Sequence, residues 1–207
     1  MTMEENMMMR TKTVDVWVPV FDYWLCAREF GFTVIGHPDK RRASLRRKVE
    51  TLAKNAAATI VSECGVQVLE TLDCGYLGYG SYPDSKNYLG VRVRAKVEIP
   101  EDVVACAESL KRLSSEALRE RIQALYQAGD KHHAQRWDIC ATLVGDWFDD
   151  GYCISWSATH HQLCVQIRGM GRAYISRNEF LSLTRDDTHT QQERPSLLQR
   201  LKTLFHR

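Results

Sequence analysis

Arg92, Arg94 and Lys96 stand two apart in the run Val91-Arg92-Val93-Arg94-Ala95-Lys96-Val97-Glu98-Ile99-Pro100. Side chains on a strand point alternately to opposite faces, so the three cations and Glu98 share one face. Val91, Val93, Ala95, Val97 and Ile99 share the other. A row of guanidinium and ammonium groups donates to phosphate oxygens, and in a DNA major groove to guanine O6 and N7. A denser cationic group lies upstream, where Lys40, Arg41, Arg42, Arg46, Arg47 and Lys48 occur with no acid among them. On the first turns of a helix it would attract phosphate without specifying sequence, or simply form a solvated face.

The residues that could do covalent or metal chemistry are less organised. His132-His133 and His160-His161 are adjacent pairs, and Cys64, Cys74 and Cys164 carry no flanking motif of a nucleophile. No Cys/His spacing matches a zinc finger or ribbon. There is no phosphate-binding glycine loop of the Walker or dinucleotide type and no Gly-x-Ser-x-Gly. No catalytic residue, metal or cofactor is assigned on these grounds. Trp137, Trp147 and Trp156 read as packing residues, and the Gly/Tyr-rich stretch 75–88 as a loop able to stack on bases or to close a sheet edge.

Composition sets the frame for these groups. With 44% apolar residues in 207 and a net charge of +2, the chain has the make-up of an ordinary globular protein. So small a net charge makes the local clusters, not the total, the electrostatic signal. Seven cysteines without a CxxC pair fit a reducing compartment, and a cytoplasmic location is expected. Residues 1–12 read as a flexible tail, and Asp15, Asp22, Arg28 and Glu29 interrupt the one apolar stretch that could be taken for a membrane span.

The predicted elements are mixed, and the fold class is α+β. Residues 13–18 alternate as a strand that Pro19 ends, and residues 21–30 form an aromatic helix closed by Gly31. A helix beginning after Pro38 carries Leu45, Val49, Leu52 and Ala56 on one face. Residues 66–72 are a strand, and the alternating strand follows the Gly/Tyr loop. Pro100 then gives way to a helix with Val103, Ala107 and Leu110 inward, a break at Leu113-Ser114-Ser115, and a second helix that Gly129 closes. Residues 131–148 read as a helix. Strands follow at 152–158, 163–168 and 172–175, then a polar segment 184–193 and a terminal amphipathic helix at 195–205.

The order strand, helix, short turn, helix over residues 88–127 resembles the ribbon-helix-helix (Arc/MetJ-like) family of DNA-binding transcriptional regulators. In that family two copies pair one strand each, antiparallel across a two-fold axis, and the ribbon enters the major groove. The resemblance implies a homodimer that binds double-stranded operator DNA. Arg92, Arg94 and Lys96 would read bases, and Ser114 and Ser115 would hold phosphate at a helix start. Arg41, Arg42, Arg46 and Arg47 would add non-specific attraction. The glycine common between the family's helices is missing from Lys111-Arg112-Leu113. A weaker copy of the pattern begins at residues 13–19.

The expected architecture is thus a ribbon-helix-helix-like dimeric unit at 88–129. An N-terminal α/β segment at 13–87 precedes it, and a helix plus an antiparallel β-rich module at 130–183 follows, with a linker and terminal helix at 184–207. The expected function is sequence-specific transcriptional regulation in a bacterium or a mobile element such as a plasmid, without chemistry and without a membrane. Two alternatives stay open: a phage- or plasmid-encoded inhibitor that grips a host protein, and a His-dependent nuclease. A plainer reading of the strand itself also stays open, a hairpin in which 66–72 pairs with 91–99 inside one subunit.

Overall fold

The computed structural model describes residues 8–22, 25, 26, 29, 43–78, 87–131 and 137–185. Its elements are β1 (Met9–Asp22), α1 (Ala43–Glu63), β2 (Gln67–Gly78), β3 (Asn87–Pro100), α2 (Glu101–Leu110), α3 (Ser115–Ala128), β4 (Cys140–Val144), β5 (Tyr152–Ser157), β6 (Gln162–Ile167), β7 (Gly171–Ile175) and α4 (Arg177–Arg185). The class is α+β, with two sheets ordered β1-β3-β2 and β4-β5-β6-β7. The chain divides into two compact units. The first holds Met1–Ile99, Gln135–Ala141 and Trp156–His161; the second holds Pro100–Ala134, Thr142–Ser155 and Gln162–Arg207.

In the first unit, β3 alternates as its sequence dictates, and Leu89, Val91, Val93, Ala95, Val97 and Ile99 are buried. Helix α1 packs on β1 and β2 through Val49, Ala53, Ala57 and Val61. The two alanines let the helix lie close to the sheet. That stripe differs from the one predicted through Leu45, Val49, Leu52 and Ala56, and Leu45 and Leu52 are left exposed. β1 runs on through Pro19, where a strand end was expected. It is an edge strand, and there a missing N–H costs the ladder nothing when it faces outward. The Trp17 carbonyl, two residues back and aimed at the same edge, takes the Trp137 indole N–H at 2.8 Å.

In the second unit, α2 buries Val103, Ala107 and Leu110, and α3 buries Ile122, Leu125 and Tyr126. Helix α3 lies against β6 and β7, and α4 against α2 and β6. Asp102 at the start of α2 and Arg177 at the start of α4 form a forked ion pair at 2.5–3.2 Å. Beyond Gly129, Asp130 exchanges both backbone hydrogen bonds with Tyr174 of β7 at 2.7 and 2.8 Å. The helix expected over 131–148 is replaced, among the described residues, by β4 and a tight turn. Gly145 there has φ +73°, which ends β4 and rules out helix propagation. Helix α4 has no counterpart among the predicted elements. Of the helix expected over 21–30, Phe21 and Asp22 belong to β1, while Leu25, Cys26 and Glu29 are helical; the segment expected at 195–205 lies outside the described residues.

Candidate functional site

β3 is the middle strand of its sheet, hydrogen-bonded to β1 on one side and β2 on the other. Its antiparallel register with β2 sets Gln67 opposite Lys96, Val68 opposite Ala95, Glu70 opposite Arg94 and Thr71 opposite Val93. The intramolecular hairpin is therefore the one formed. A ribbon between two copies needs a strand edge that β3 does not have, so the expected ribbon-helix-helix pairing is corrected. The unit boundary falls between Ile99 and Pro100, so β3 belongs with β1 and β2 and not with the two helices after it.

The outward side chains of β3 form a cross-strand ladder with those of its neighbours. Arg94 grips Asp15 of β1 in a fork, Nε to Oδ1 at 2.9 Å and Nη2 to Oδ2 at 3.1 Å. Its Nη1 lies 3.6 Å from Glu70 of β2. Arg92 reaches Asp73 of β2 at 2.9 Å. The hydrogen bonds from Arg94 hold the Asp15 carboxyl below its ordinary pKa, and Asp15 in turn raises that of Arg94. On this face three cations, Arg92, Arg94 and Lys96, stand among four acids, Asp15, Glu70, Asp73 and Glu98. A row that looked cationic in the sequence is charge-balanced once its neighbours are in place.

Next to the ladder the sheet is floored by glycine. Gly75 of β2 stands opposite Gly90 of β3, and the Trp17 indole lies over Gly75. A Cβ on Gly75 would meet Trp17 Cη2 at 3.2 Å. Trp17 keeps 36% of its surface exposed. An indole resting on bare glycine backbone is a partly apolar platform on the same sheet as the braced arginines.

The other expected site residues are scattered. Ser114 is the N-cap of α3, its Oγ accepting the Ala117 N–H at 3.3 Å, and Ser115 is the exposed first residue of that helix. Both belong to the second unit. Arg46 pairs with Glu50 one turn on at 3.5 Å, while Arg47 is exposed. Lys40, Arg41, Arg42, His132, His133 and the loop 79–86 lie outside the described residues.

Ser157 donates to Asp138 at 2.6 Å and accepts the His160 backbone N–H at 3.1 Å, which fixes the turn after β5. Burial pushes the thiols of Cys26, Cys64 and Cys153 up and that of Cys74 up to about 11, so these four stay protonated at neutral pH. No described helix is long and apolar enough to cross a membrane. Comparison with protein-family models, with characterised proteins and with solved structures finds no match to this chain.

Proposed function

We propose that this chain is a binding protein that captures a protein partner on the outer face of the β1-β3-β2 sheet. The carrying observation is the outer face of this sheet: Trp17 lies over Gly75, which stands opposite Gly90, and on the same sheet Arg94 is held between Asp15 and Glu70. Tryptophan and arginine are the residues most enriched among those that dominate protein interfaces. Side chains already held in place lose little freedom on binding, which favours association. Four carboxylates among the cations oppose a polyphosphate ligand but suit the mixed charges of a protein surface.

The test is a photo-crosslinking amino acid at position 17 in cells of the natural host, with position 120 on the exposed side of α3 as control. A discrete protein adduct at 17, absent at 120 and lost when Arg94→Ala is added, supports the reading. Nucleic-acid adducts at 17, or the same adducts at both positions, overturn it.

A second reading rests on α1, whose first turn holds no acid while Arg46, Arg47 and Lys48 crowd its first two turns. Cations there oppose the helix dipole, and a bound phosphate backbone would relieve the repulsion. Operator binding through this helix would give a DNA mobility shift that weakens steeply with salt and disappears with Arg47→Glu. A shift insensitive to Arg47→Glu removes that reading.

A further inference from the structure

Phe148, at the tip of the β4–β5 hairpin, is 83% exposed, yet its loop is tightly braced. Asp146 Oδ1 accepts the N–H groups of Phe148 and Asp149 at 2.7 and 3.4 Å. Asp150 closes the turn from the other side, accepting the Asp146 N–H on Oδ2 at 2.9 Å and donating its own N–H to the Asp146 carbonyl at 2.8 Å. Arg168 donates to the carbonyls of Trp147 and Phe148 at 3.1 and 2.5 Å. A large apolar side chain is thus held out in water by a rigid acidic loop, the reverse of what folding alone would select.

The opposite chemistry occurs on α1. Leu45 and Leu52 are 46% and 60% exposed, on the flank of the helix beside buried Val49. Lys48 falls three residues after the one and four before the other, so the three share a helix face. This strip is apolar with one exposed cation, Lys48, and the tip is aromatic with an anionic rim. Phe148 has the size to lie between two leucines two helical turns apart, and Asp149 the reach to meet Lys48.

We infer that the chain self-associates, the Phe148 tip of one copy seating on the Leu45–Lys48–Leu52 strip of a second. Every copy carries both surfaces, so each copy can offer its tip and receive another's. The contact is small and electrostatically assisted, which makes the association weak and salt-sensitive.

Sedimentation of the full chain over a range of concentrations tests this. Mass rises with concentration at low salt and falls back as sodium chloride goes from about 50 to about 500 mM. Phe148→Ser and, separately, Asp149→Lys and Lys48→Glu each weaken self-association by about tenfold or more with an unchanged circular dichroism spectrum. Mixing the Asp149→Lys chain with the Lys48→Glu chain restores it, because each mixed contact again joins opposite charges. A chain that stays monomeric throughout, an association indifferent to Phe148→Ser, or a mixture that fails to recover overturns the proposal.

Discussion

At the scale of single residues, the fork between Arg94 and Asp15 decides how the outer face behaves. Because Arg94 holds the Asp15 carboxyl below its ordinary value of 3.8, the pairing contributes at pH above that value. The contribution is lost as the pH falls through the lowered pKa. In a carboxylate-detected NMR titration, Asp15 should ionise below 3.8 in the native chain and move back toward it in Arg94→Ala. An unmoved midpoint would mean the fork does not persist in solution. Gly145 is a second decisive position. Its φ of +73° is strained for any side chain, and an alanine methyl carbon there would fall 2.6 Å from the Tyr152 ring. Gly145→Ala should cost upwards of about 1 kcal/mol, seen as a lower melting temperature. The pairing of Arg94 was not readable from its own strand, since alternation names the face a side chain takes and not the residues across from it.

Among the elements, punctuation made some parts legible. Pro100 marks the end of β3 and Ser114 the start of α3, because a ring and a capping hydroxyl each favour one kind of terminus, while Gly129 ends α3 in extended backbone where a Cβ would fall 2.9 Å from that of Ala173. Helix α4 announces itself in the same way. Ser176 and Glu179 form a reciprocal cap, Ser176 Oγ accepting the Glu179 N–H at 3.3 Å and Glu179 Oε2 accepting the Ser176 N–H at 3.3 Å. The Ser-Arg-Asn-Glu pattern is the signal for it in the sequence. The stretch 131–148 misled because its apolar residues fit helical spacing as well as they fit β4 and a turn. Helix α1 offered two apolar stripes, and the one with Ala53 and Ala57 prevailed because small side chains allow close packing on a sheet. Val97 has no exposed surface beneath β3, so Val97→Asp should unfold the first unit, at a cost of about 3 kcal/mol or more. Leu125→Ala on α3 should cost about 2–5 kcal/mol in chemical denaturation. A native far-ultraviolet spectrum and unchanged midpoint for either variant would contradict the packing described.

For the whole molecule, the α+β class could be read from the chain, and so could the antiparallel hairpins of the β5-β6-β7 run. The partnership of β3 could not. A strand with one apolar and one charged face serves equally in a two-copy ribbon or in the middle of a half-exposed sheet, and the choice rests on β1, some seventy residues away. That choice sets the chemistry of the surface, because it turns a row that reads as cationic into a charge-balanced face. Amide hydrogen exchange along β3 measures it most directly. With both neighbours supplied by its own chain, protection at residues 91–99 should be the same across roughly a hundredfold dilution. Protection that drains from those amides as the protein is diluted would show that β3 borrows its partner from a second copy, and would contradict the account.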